Sequence, residues 1–183
     1  MNKLYLALIS ISIGLSGCDH FKHDVQSLQS SYQKSASDTI IYTNVVQVLQ
    51  NMRRDLPADV RLIVLGGRVL VVGYVATSQE HVNIVNAIWQ IKGVQEVLDH
   101  LEYVDKNQRS GFDLKSAFLK TQLDTLFLAN SALRYGCFQY VIFKRNLYAL
   151  AYKISESEKD AFFKMVRRMP NLQKVFFYNT HRH

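Results

Sequence analysis

Apolar positions along this chain change their period several times, and each change marks an element. Leu4 to Leu15 is an apolar run, whereas residues 19–37 are rich in Ser, Gln and Lys with few apolar positions. Beyond them Ile41, Val45, Val48 and Leu49 form a helical stripe that Asp38 can cap and Pro57 ends, which predicts a helix to about Asp55. Val60–Leu65 and Val69–Val75 are β-branched runs joined at Gly66-Gly67, a hairpin signal. Thr77 with Glu80 three residues on forms a capping box and opens a helix that ends before Gly93. Val94–Val104 then alternates as a strand does, so the predicted order is αββαβ.

The order recurs in the second half at a fixed offset of 78 residues. Thr77/Glu80 lands on Ser155/Glu158, and the stripe Ile84, Ala87, Ile88 and Ile91 lands on Phe162, Met165, Val166 and Met169. Gly93 becomes Asn171, the next best residue for a left-handed position. In this second copy a helix beginning at Phe112 or Asp113 carries Leu119, Leu123, Leu126 and Phe127 as its core stripe. A hairpin of Cys137–Phe143 and Leu147–Ile154 turns around Arg145-Asn146, and Leu172–Tyr178 is the last strand. The fold class is α+β, with two similar units, each packing two helices on one face of a three-stranded sheet. Residues 38–105 form the first unit, 106–111 a linker, 112–179 the second unit and 180–183 a tail.

The 183 residues suffice for one medium domain or two small ones, and 48% hydrophobic residues with only two Pro mark a globular composition. The formal charge of +7 is uneven: residues 38–105 hold five Lys/Arg against eight Asp/Glu, residues 113–183 twelve against five. An anionic partner should meet the second half. At the N-terminus, the apolar run followed by Leu15-Ser16-Gly17-Cys18 reads as a processing site and has the pattern of a lipobox. Residues 1–17 are then a signal peptide, Cys18 the acylated lipid anchor, and 18–37 a flexible tether with an end-to-end distance of about 25 Å. An ordinary cleaved signal peptide and an uncleaved anchor helix are the alternatives. Acylation of Cys18 leaves Cys137 without an intramolecular partner, as a buried thiol or an intermolecular bridge.

The stretch Arg68-Val-Leu-Val-Val-Gly73-Tyr-Val-Ala-Thr-Ser78-Gln-Glu80, followed by a helix and Lys92-Gly93-Val94-Gln95-Glu96-Val97, resembles the BON domain family. The second unit departs from that pattern, with Ala151 in place of the strand glycine and Pro170-Asn171-Leu172 in place of the helix-ending Gly-Val. Lipobox and paired units together resemble the dual-BON lipoproteins of the DolP type. The resemblance implies an envelope-integrity role in which the second BON unit docks on anionic phospholipid, mainly through its first helix at about 113–127.

The side chains favour recognition over catalysis. Gly66-Gly67 is a turn, not a phosphate loop, and no His/Asp/Ser grouping stands out, so a non-enzymatic protein without cofactor is expected. His181 and His183 fall short of a structural metal site, and no metal is expected. Lys115, Lys120, Lys164, Arg167 and Arg168 share one outward surface of the second unit if both its helices lie on the same sheet face, with Leu114 and Phe118 on a flank. Basic residues beside exposed apolar ones suit an anionic bilayer; an ordinary solvated face with Phe118 buried fits the same residues. Trp89, four residues after Val85, packs at the core edge or meets the second domain or a partner. Nucleic acid is the wrong partner for an exported protein. The expected function is a membrane-anchored, periplasm-facing envelope lipoprotein; the competing reading is a protein-binding adaptor of an envelope machine or secretion apparatus. The outer membrane is slightly favoured, although Asp19 after Cys18 argues for the inner one.

Overall fold

The computed structural model describes residues 36–105, 114–133 and 137–180. Helix α1 (36–52) is followed by a single helical turn α2 (Leu56–Asp59), strands β1 (Val60–Leu65) and β2 (Arg68–Val75), helix α3 (Ser78–Trp89) and strand β3 (Glu96–Tyr103). The second unit runs α4 (Leu114–Leu128), β4 (Phe138–Phe143), β5 (Asn146–Tyr152), α5 (Glu156–Val166) and β6 (Val175–Thr180). Each sheet is three-stranded and mixed: β1 and β3 flank β2, the first antiparallel and the second parallel, and β4 and β6 flank β5 in the same way. The offset of 78 is kept by the pairing itself, since Val69 faces Val97 and Leu147 faces Val175.

Local chemistry explains most boundaries, with four corrections. Asp38 does not cap α1, because the helix is already formed at residue 36. Its carboxylate instead accepts from the N–H groups of Gly66 (2.8 Å) and Gly67 (2.9 Å), tying α1 to the β1–β2 turn. The helix also stops at 52 rather than about 55, and Pro57 enters the first turn of α2, where its missing N–H costs nothing. At α3 only half of the capping box forms: the Thr77 hydroxyl accepts from the Glu80 N–H, but the Glu80 carboxylate reaches the Ala76 N–H. Ser155 and Glu158 make the full reciprocal pair at α5. The second hairpin turns on Lys144-Arg145, one residue earlier than Arg145-Asn146, and both central residues have positive φ (50° and 62°), as Gly66 and Gly67 do (66° and 75°). Asn171 takes the left-handed conformation that its match to Gly93 predicts.

In each unit the two helices cover one sheet face. Ile41, Val45 and Leu49 of α1 and Ile84 and Ile88 of α3 pack on Val69, Val71 and Val75. Leu119, Leu123 and Phe127 of α4 and Phe162, Met165 and Val166 of α5 pack on Leu147, Ala149 and Ala151. The opposite faces of the two sheets pack on each other. Leu65, Leu70, Val72 and Tyr74 from the first unit join Val141, Phe143, Tyr148 and Leu150 from the second in a third core, giving four layers, helix–sheet–sheet–helix. Every residue of β2 is therefore buried. The seam is also polar at its edges: Arg61 donates to the Ile142 carbonyl (2.7 Å), the Arg68 guanidinium to the Tyr178 carbonyl (3.4 Å), and His100 hydrogen-bonds the Tyr178 hydroxyl.

Candidate functional site

Helix α4 is apolar on two opposite faces. Leu119, Leu123 and Phe127, each four residues from the next, fill the second unit's core. On the other side lie Leu114, Phe118 and Leu128, which are 74%, 64% and 77% exposed. Thr121 and Thr125 complete this outer stripe, and their hydroxyls donate back to the carbonyls of Ala117 (3.2 Å) and Thr121 (2.9 Å), which lowers the polarity of the face they occupy. The core does not need this stripe, and a second apolar face left exposed implies a second apolar environment.

At the N-terminal end of α4 the stripe runs into a groove of about 330 Å³ lined by Leu114, Lys115, Phe118, Leu119, Arg145 and Asn171. Three of the residues singled out from sequence, Leu114, Lys115 and Phe118, are thus brought together, and Phe118 is exposed rather than buried. Lys120 faces away from them: its ammonium pairs with Asp124 (2.8 Å) and lies over the Tyr140 ring (5.8 Å), while the Tyr140 hydroxyl donates to the same Asp124 (2.6 Å). Lys164, Arg167 and Arg168 are exposed on and just after α5, which shares its core with α4, but among the described residues they do not line the groove. Cys18, His181 and His183 lie outside the described residues.

Arg145, Asn171 and Leu128 were not foreseen as site residues. The repeat held the signal for the first two, since the offset that carries Gly66-Gly67 onto Lys144-Arg145 also carries Gly93 onto Asn171, which places both beside the start of α4. The Arg145 N–H donates to the Ser116 hydroxyl (3.1 Å), the counterpart of Asp38 on the first helix of the other unit, and its carbonyl accepts from the Gln173 N–H (2.8 Å). Lys144 turns the other way, onto the first unit: it pairs with Glu102 and sits 4.8 Å from the Tyr74 ring. Its pKa is raised, first by the hydrogen bond to Glu102.

Elsewhere, Trp89 is 50% exposed and, with Val82 one further turn pair away and half-buried Val85 between them, forms an apolar strip on α3. The free thiol of Cys137 is half-buried against the second unit's core. His81 hydrogen-bonds both Asp99 and the Tyr103 hydroxyl (2.7 Å), a grouping assembled from α3 and β3 that does not touch the groove. Among the described residues no group of three or more His, Cys, Asp or Glu is placed to hold a metal ion, and no helix is long and apolar enough to cross a membrane.

Comparison with known proteins adds a family for the first unit. No curated protein sequence matches the chain. Two solved structures of CdsD, a structural protein of the type III secretion system of Chlamydia trachomatis, are similar at 10% identity. One, its C-terminal domain, covers 76% of this chain and 98% of its own with a TM-score of 0.32. The other covers 75% and 91% with a TM-score of 0.30. The family model for the BON domain matches residues 37–105, the span from α1 to the end of β3, and the second unit repeats that topology. Residues 37–105 of this chain are a BON domain.

Proposed function

We propose that this chain is a non-catalytic envelope lipoprotein, held to a membrane by acylated Cys18, whose second unit docks on anionic phospholipid through the outer face of α4. The observation that carries the reading is the exposed stripe Leu114, Phe118 and Leu128 beside Lys115. An apolar stripe on a soluble body is stable at a bilayer interface, and each Lys or Arg near an anionic surface contributes about 1 kcal/mol. The positive balance of residues 113–183 and the BON domain at 37–105 agree with a role in envelope integrity. Tethering through Cys18 would raise the local concentration of this weak surface at the membrane.

Co-sedimentation of residues 24–183 with anionic and neutral vesicles tests the reading. Binding is expected to anionic vesicles alone, to weaken with salt, and to disappear when Lys115, Lys120, Lys164, Arg167 and Arg168 are changed to Gln. Absence of binding to either vesicle would leave Cys18 as the membrane contact and favour the adaptor reading, in which the α3 strip of Val82, Val85 and Trp89 receives an envelope protein. Membrane fractionation of the full chain decides between outer and inner membrane.

A further inference from the structure

Two homologous turns in this protein are built from opposite residue types. A two-residue hairpin turn with positive φ at both positions calls for Gly or Asn, and the first unit supplies Gly66-Gly67. The second unit places Lys144 and Arg145 in the same left-handed conformation, which costs an L-residue with a long side chain about 1–2 kcal/mol at each position. Strain kept at two adjacent positions points to a use for both side chains. Lys144 has one within the molecule, the clamp onto Glu102 and Tyr74. Arg145 has none of that kind: among the described residues no carboxylate pairs with it, and its guanidinium meets only the neutral side-chain amide of Gln173.

We infer that Arg145 binds the headgroup phosphate of a single anionic phospholipid seated in the groove between the Lys144-Arg145 turn and the start of α4. The inference rests on the bilayer-docking reading and assigns its lipid-selective residue. The Arg145 backbone is fixed before any ligand arrives, by its N–H on Ser116 and its carbonyl on the Gln173 N–H, so binding has only the side chain left to order. A planar guanidinium offers a phosphate two parallel donors. Beside it, Leu114, Phe118 and Leu119 provide apolar wall and Lys115 a second cation, a lining complementary to an amphiphile with one negative end. At about 330 Å³ the groove is at the small end of ligand sites, enough for a headgroup and the first part of one acyl chain, the rest staying in the bilayer.

The strain argument supplies a clean variant. Arg145→Gly installs the residue that the φ of 62° favours, so the melting temperature should stay level or rise while the proposed ligand contact is lost. The full chain in neutral detergent micelles is titrated with short-chain phosphatidylglycerol or phosphatidylcholine, and the amide resonances of Leu114, Phe118, Arg145 and Asn171 are followed. The wild type should respond saturably to phosphatidylglycerol at these positions. R145G should weaken that response at least tenfold and leave the phosphatidylcholine response unchanged, with Arg145→Lys intermediate and Phe118→Ser weaker at unchanged stability. An R145G affinity within twofold of wild type, with the anionic preference intact, overturns the inference and leaves α4 docking standing. A wild type without any anionic preference overturns both. Full displacement of the lipid by an equal concentration of inorganic phosphate assigns the site to a free anion and overturns the lipid assignment.

Discussion

Leu70 and Leu150 are the sharpest probes of the sheet-to-sheet packing. Each is fully buried on the central strand of its own sheet, and each points away from its own helices into the shared third core. That core holds eight buried residues; at roughly 1.5–3 kcal/mol for each full burial, separating the sheets would forfeit up to about 12–24 kcal/mol. A loss of that size equals or exceeds the whole stability of a typical domain, about 5–15 kcal/mol, so neither unit should survive alone. The chain should therefore melt in one transition. Leu70→Ala and Leu150→Ala, one in each unit, should each cost about 2–5 kcal/mol and lower that same transition by about 5–15 °C. Leu128→Ala, on the exposed face of α4, is the control and should move it by no more than about 2 °C. Differential scanning calorimetry, with calorimetric and van't Hoff enthalpies compared, reads all three. Two separate transitions, with Leu70→Ala moving only one of them, would refute the shared core.

Two further predictions concern polar groups. Burial between the sheets, among Tyr148, Phe176 and Tyr178, lowers the pKa of His100, with Asp99 opposing the shift. Because the folded value lies below the unfolded 6.5, the unfolded chain takes up the proton first as pH falls; the His100 contribution is complete above about pH 6.5 and is lost below it until the folded group also titrates. Thermal melts at pH 7.5 and 5.0 should show a larger acid loss for the wild type than for His100→Gln, and equal losses would refute this assignment. Asp38→Ala removes a charged acceptor of two turn N–H groups and should cost about 1.5–3 kcal/mol by urea unfolding, against about 0.5–1.5 kcal/mol for the single neutral acceptor lost in Ser116→Ala.

Much of the fold was legible before any coordinates. The periods of 3.6 and 2, the Thr77 and Ser155 caps, the Gly66-Gly67 turn and the left-handed Asn171 are set by contacts within a few residues, and the repeat allowed one unit to be checked against the other. Errors arose where a local signal had a distant partner. Asp38 has the side chain of a helix cap, yet its carboxylate finds the β1–β2 turn, far along the chain. Lys144-Arg145 lacks the residues that announce a tight turn, and only its match to Gly66-Gly67 gives it away. At the candidate site, Leu114, Lys115 and Phe118 followed from helical spacing, whereas Arg145 did not, because it reaches the groove from another element.

The sequence by itself determined the order of elements, the internal duplication and the apolar faces of the helices, since these depend on side-chain periodicity and short-range hydrogen bonds. Only the tertiary structure decided that the two sheets pack on each other and that Leu114, Phe118 and Leu128 of α4 are exposed. One trace of the packing was present in advance: β2 is apolar or small at nearly every position, where a strand with one wet face would alternate. A strand buried on both sides does not say what lies on either side, because hydrophobic burial is non-directional; shape complementarity between distant segments made that choice.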